Sequence, residues 1–113
     1  MSIATAPRRP VLRYYGGKWR LAPQITALFP AHSIYVEPFG GAASVLLNKP
    51  RSATEIYNDL DSEVVHFMRI LRDRPEELRD AVALTPYSRE EYERAYQRTT
   101  RPVERARRFV FRA

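Results

Sequence analysis

The sequence predicts an α/β fold, the opening part of a doubly wound parallel sheet that is incomplete in this chain. Three observations carry that assignment. First, the apolar stretch Ile34-Tyr35-Val36 leads through Glu37-Pro38-Phe39 and the paired glycines Gly40-Gly41 into the helical run Ser44-Val45-Leu46-Leu47. A strand, a glycine turn and a helix in that order form the basic unit of such folds. Second, Glu55-Ile56-Tyr57-Asn58 is another extended stretch, and it ends at Asp59. Third, everything after Asp61 has the spacing of helices and loops. Two strands are fewer than the roughly five or six of an ordinary sheet, so the chain reads as the beginning of a domain.

The elements follow in order. Residues 1–10 read as a short flexible lead without the apolar stretch of a signal peptide. Leu21, Ile25 and Leu28 recur at helical spacing and predict an amphipathic helix over 20–28, which Pro30 closes. Ser33–Val36 is the first strand, apolar enough to be expected in the core. Residues 44–48 begin a helix that Pro50 limits, and 55–58 form the second strand. Ser62 is placed to cap the next helix, with Val64, Phe67, Met68 and Leu71 as its apolar stripe. Pro75 followed by Glu76 and Glu77 marks another helix start, with acid where the helix dipole favours it. Ser88 and Glu91 fit a capping box that opens a charged helix through about Gln97, and 103–113 is helical again. Residues 11–113 are thus expected to form one partial domain.

Composition narrows the function. The 113 residues allow at most one domain of modal size, and 44% of them are apolar, enough for a modest core. The net charge of +6 suits a polyanionic partner and equally suits a solvated basic surface. The basic excess gathers around Arg8–Arg20 and again in Arg98, Arg101, Arg105, Arg107, Arg108 and Arg112. There is no cysteine, which removes disulfides, thiolate chemistry and the common zinc sites. No apolar run approaches the ~20 residues of a membrane span. A cytoplasmic protein is expected. His32 and His66 lack companions at metal-ligand spacing, and no Ser-His-Asp set is evident.

The glycine loop Phe39-Gly40-Gly41-Ala42-Ala43 is not the dinucleotide G-x-G-x-x-G pattern, and an ordinary tight turn also accounts for it. Asp59 adds information. It lies 18 residues after Gly41, at the end of the second strand. In nucleotide-binding α/β folds an acid about 20 residues past the loop accepts from the ribose hydroxyls. Glu37 ends the first strand. Two acids at successive strand ends suit a ligand with a ribose and an amino-bearing or cationic end. A turn or helix cap is the plainer reading of Asn58-Asp59-Leu60-Asp61. Tyr14-Tyr15-Gly16-Gly17-Lys18 combines aromatics, a turn and a lysine, which suits stacking and a carboxylate contact or simply a surface turn.

Taken together, Tyr14-Tyr15-Gly16-Gly17-Lys18, the segment from Val36 to Val45, and Asn58-Asp59-Leu60-Asp61 resemble the opening of the Dam family, the D12-class DNA adenine-N6 methyltransferases. The three motifs occur in order over roughly residues 11–72, and 101–111 is a weaker match. The resemblance implies the N-terminal part of a Rossmann-like methyltransferase domain that uses S-adenosylmethionine and acts on double-stranded DNA. It implies that Tyr14 and Lys18 contact the cofactor and that Phe39 through Ser44, with Gly41, lie under its methionine part. It further implies that Asp59 holds the nucleoside and that Glu37 faces the amino group. Ala43 stands where the family usually has a second glycine, and its methyl is expected to narrow the approach. The family's Asp-Pro-Pro-Tyr-type tetrad, which holds the flipped adenine, is absent. Thr85-Pro86-Tyr87 has one proline and no acid, and reads as a turn. No catalytic residue is assigned, and the chain is expected to be truncated and inactive alone. Two alternatives stay open: a small non-catalytic DNA- or partner-binding remnant of phage or mobile-element origin, and a nicotinamide-dependent oxidoreductase fragment.

Overall fold

A computed structural model describes residues 7–113 as two compact units, one ending at Leu60 and one spanning Asp61–Ala113. The first six residues of the expected lead lie outside the described residues. Pro7–Pro10 carry no helix or strand.

The first unit is mixed α/β. Helix α1 (Ala22–Ala27), strand β1 (Ile34–Glu37), helix α2 (Ser44–Asn48) and strand β2 (Thr54–Tyr57) follow in order. The strands pair in parallel, with Ile34 opposite Thr54 and Glu37 opposite Tyr57. Helix α1 is shorter than the apolar spacing predicts. The carbonyl of Lys18 accepts from the N–H groups of both Leu21 and Ala22, so Leu21 sits at the helix boundary. Leu21 and Leu28 are exposed, and Ala22 takes the buried position.

Alternation along the strands divides the sheet into two unlike faces. Tyr35, Glu37 and Tyr57 point to the face that the glycine loop and α2 cover. Ile34, Val36 and Ile56 point to the other, where they are 60%, 51% and 48% exposed. The expectation of a buried first strand is not met: Tyr35 and Glu37 are half-buried, and Ile34 and Val36 are exposed. A parallel sheet is usually covered on both faces. Within the first unit, the hydrogen bond from Leu46 N to Glu37 Oε1 ties α2 to one of them.

The link from α2 to β2 is held by a buried lysine. Lys49 Nζ donates to the Pro50 carbonyl at 2.9 Å, to Ser52 Oγ at 2.8 Å and to Glu55 Oε2 at 2.5 Å. All three donors of the ammonium are thereby used. The same nitrogen lies 4.5 Å from the centre of the Tyr35 ring. The hydrogen bond from Lys49 holds the Glu55 carboxyl below its ordinary range.

The second unit is helical: α3 (Ser62–Asp73), α4 (Pro75–Ala83), α5 (Arg89–Arg94) and α6 (Pro102–Arg112). Its core joins Val64, Phe67 and Ile70 of α3 to Leu78, Ala95, Ala106 and Phe109, with the Phe67 and Phe109 rings 5.7 Å apart. Two details differ from the sequence reading. Asp61, not Ser62, caps α3, its carboxylate accepting from Glu63 N at 2.9 Å. Ile70 is buried where Met68 and Leu71 are only partly covered. Ser88 caps α5 as its spacing predicts, accepting from Glu91 N at 3.2 Å. The helix stops at Arg94 because the N–H groups of Tyr96 and Gln97 turn to carbonyls three residues back. His66 contacts the Pro102 carbonyl at 2.8 Å, a structural role. No helix among the described residues is long and apolar enough to cross a membrane.

Candidate cofactor site

The first unit contains a cleft of about 320 Å³, and all six residues singled out in the sequence line it: Tyr14, Lys18, Glu37, Phe39, Gly41 and Asp59. They come from three separate segments. The parallel pairing of β1 and β2 puts Glu37 and Asp59 at neighbouring strand ends. The Tyr14–Lys18 turn supplies the facing wall. That turn closes through the Gly17 N–H bonded to the Tyr14 carbonyl at 3.1 Å, and Lys18 Nζ donates to the Gly16 carbonyl at 3.2 Å.

The glycine loop is clamped on both sides of one residue. Asp59 Oδ2 accepts the Gly41 N–H at 2.9 Å, and the Tyr57 hydroxyl donates to the Gly41 carbonyl at 2.5 Å. The Gly40 N–H is bonded to the Asn58 carbonyl at 2.9 Å. The two glycines serve different needs. Gly41 has φ +52°, and a Cβ there would come 2.9 Å from the Tyr14 ring. A Cβ on Gly40 would run into the Tyr57 ring and stand 2.9 Å from Glu37 Oε2.

Ala43 behaves differently from expectation. Its methyl does not line the cleft. The residue is 2% exposed and sits at φ 57°, ψ 37°, the left-handed conformation, at the N-cap of α2. The glycine-to-alanine difference is thus felt in the backbone, where an L side chain is disfavoured.

Glu37 is held by one oxygen. Its Oε1 accepts from the Tyr35 hydroxyl at 2.6 Å and from Leu46 N at 3.1 Å. Its Oε2 is buried and has no hydrogen-bond partner. A buried carboxylate oxygen without a donor is costly, and here it belongs to a residue of the cleft wall. Burial, then the neighbouring Glu37, push the Tyr35 hydroxyl far above its ordinary pKa, so it stays protonated and donating. Tyr35 and Tyr57 were not singled out in the sequence. The strand alternation that places Tyr35 and Glu37 on one face was the available signal.

A family model described as D12 class N6 adenine-specific DNA methyltransferase matches residues 14–112. The chain belongs to this family. The matched span takes in the whole cleft and nearly all of the helical unit. The Type II methyltransferase M1.LlaDCHI of Lactococcus lactis subsp. cremoris is 36% identical over 90 residues, 78% of this chain and 30% of that protein. A DNA adenine methylase of Serratia marcescens is 36% identical over 77 residues, 67% of this chain and 28% of that protein. The Modification methylase StsI of Streptococcus sanguinis is 34% identical over 65 residues, 57% of this chain and 10% of that protein. The chain therefore spans less than a third of the length of these relatives. Membership of the D12 class displaces the oxidoreductase alternative.

Within this D12 chain, Thr85-Pro86-Tyr87 lies in the irregular segment after α4. Thr85 Oγ1 donates to the Ala81 carbonyl at 2.7 Å, and the Tyr87 side chain is fully exposed. It is irregular backbone with a bend at Thr85, where the sequence reading expects a turn. Among the described residues no group of three or more His, Asp or Glu is placed to hold a metal ion.

Proposed function

We propose that the cleft binds S-adenosylmethionine and that the polypeptide containing this chain methylates adenine N6 in double-stranded DNA. In this reading residues 11–113 contribute part of a Rossmann-like methyltransferase domain. The observation that carries it is the buried, unpartnered Glu37 Oε2 in the wall of a cleft that Asp59 also lines. The methionine ammonium would supply the charged hydrogen-bond donor that this oxygen lacks. Asp59, at the next strand end, is placed to accept from the ribose hydroxyls while it pins the Gly41 N–H. The Tyr14 ring lies over Gly41 and supplies an aromatic wall. Lys18 at the rim suits the methionine carboxylate. Phe39, 79% exposed, offers an apolar surface at the mouth. A volume of about 320 Å³ falls at the low end for a small-molecule site.

The bound cofactor would supply an activated sulfonium methyl. The residues of this chain would hold and orient it. Nothing in the 113 residues matches the tetrad that holds the adenine, so we propose that the chain alone binds cofactor without transferring methyl. Calorimetric titration of S-adenosylmethionine and of NAD into the purified chain tests the reading. Binding of the former, lost in Glu37→Gln, is expected. Equal binding of NAD, or tight binding that survives Glu37→Gln, would contradict it.

A further inference from the structure

We propose that Tyr35 is a positioning residue of the cofactor cleft: by occupying one oxygen of Glu37 it leaves the other for a ligand ammonium, and so sets the preference of the cleft for an amino-bearing ligand. This role rests on the proposed function, in which Glu37 faces the methionine ammonium, and adds a residue that acts through Glu37. Tyr35 stands two residues before Glu37 on the same face of β1 and lines the same cleft.

The two oxygens of Glu37 have unlike surroundings. Oε1 accepts from the Tyr35 hydroxyl at 2.6 Å and from the Leu46 N–H at 3.1 Å. Two donors on one oxygen, one from a side chain and one from the backbone of α2, restrain rotation of the carboxylate. Oε2 is then the oxygen without a donor. It stands beside Gly40, where a Cβ would come within 2.9 Å of it, so the missing side chain keeps room on that side. A phenylalanine at position 35 would fill the same volume but leave Oε1 to Leu46 alone. The ammonium would then meet a carboxylate with no fixed aim.

The tyrosine ring is itself held. Lys49 Nζ, on a side chain that is 1% exposed, lies 4.5 Å from the ring centre. A cation over a ring face is attracted to it, and the three hydrogen bonds of Lys49 to Pro50, Ser52 and Glu55 fix that cation in turn. The Phe29 ring packs 5.7 Å away. A hydrogen bond to a charged acceptor is shorter and stronger than a neutral one, which agrees with the 2.6 Å contact from Tyr35 to Glu37.

The test is calorimetric titration of the purified chain with S-adenosylhomocysteine and with its desamino analogue, which differ in the amino group alone. The wild-type chain should bind the amino-bearing ligand at least about tenfold more tightly. Tyr35→Phe should weaken that ligand about tenfold and the analogue less than about twofold, since only the former uses Glu37 Oε2. Added to Glu37→Gln, the same change should weaken neither ligand further. Tyr35→p-aminophenylalanine keeps a donor at the same end of the ring and should recover most of the preference. Equal weakening of both ligands by Tyr35→Phe would make Tyr35 a packing residue and overturn the inference. So would an unchanged preference in Tyr35→Phe, a full further loss in the Glu37→Gln background, or no recovery with the amino ring. Each of those outcomes leaves the cofactor cleft standing, whereas binding of neither ligand by the wild-type chain would overturn the cleft and the role of Tyr35 together.

Discussion

Asp59 and Gly41 are joined across 18 residues by a 2.9 Å hydrogen bond from a backbone N–H to a carboxylate oxygen. This bond ties the end of β2 to the loop that follows β1. A charged acceptor makes such a bond stronger than a neutral pair. Asp59→Asn is expected to destabilise the first unit by about 1 kcal/mol. It should also weaken S-adenosylmethionine binding at least about tenfold, the 1.4 kcal/mol equivalent. Thermal melts and calorimetry on one preparation measure both. Unchanged affinity would separate Asp59 from the cofactor.

Gly40 and Ala43, three residues apart, should respond to substitution with opposite signs. Gly40→Ala drives a methyl into the Tyr57 ring and towards Glu37 Oε2, an overpacking expected to cost about 1–3 kcal/mol. Ala43→Gly relieves a left-handed alanine. Part of that gain is offset by the greater freedom of glycine in the unfolded chain, leaving a net stabilisation of about 0.5–1 kcal/mol. Denaturant unfolding of the two variants checks the pair. A less stable Ala43→Gly variant would remove the strain argument.

The helical unit should lose stability in acid through Glu104. Hydrogen bonds from Arg107 at 2.5 Å, and then from Arg108 at 2.8 Å, hold its carboxyl down to about 2, from an ordinary value of 4.5. A depressed carboxylate contributes stability fully above its unfolded value. That contribution is lost as pH falls from 4.5 towards 2. Glu63, lowered chiefly by its hydrogen bond from Arg105, acts in the same direction. Glu104→Gln should therefore lower the melting temperature at neutral pH and flatten the acid limb of the stability curve. A parallel acid limb in the variant would point to other groups.

The open sheet face makes a further prediction. Val36 and Ile56 are paired neighbours on it and are each about half exposed. Replacing both with threonine should reduce binding of an apolar dye while leaving the melting temperature within a few degrees, since little buried area is lost. A large fall in stability would mean that this face is packed in solution.

Much of the candidate site was legible because its motifs are local. The positions of the glycines, Glu37 and Asp59 relative to the two extended stretches were enough to foresee strands that end in acids beside a turn. The second strand, found one residue earlier than expected at Thr54–Tyr57, and the Ser88 cap followed from equally local rules. The exposed face of β1 was not legible, because an apolar run reads the same whether one or two layers cover it. Ser62 is the expected cap and Asp61 the one found, because both residue types cap helices and only the backbone distinguishes them.

By itself, then, the sequence determined the residue types available to the cleft, the order of the elements and the absence of an adenine-holding tetrad. Tertiary structure decided what those residues do for one another. Parallel pairing brought Asp59 to the Gly41 N–H, left one oxygen of Glu37 buried without a donor, and put the strain of Ala43 in the backbone. These outcomes depend on distances between residues far apart in the chain, which local spacing does not encode.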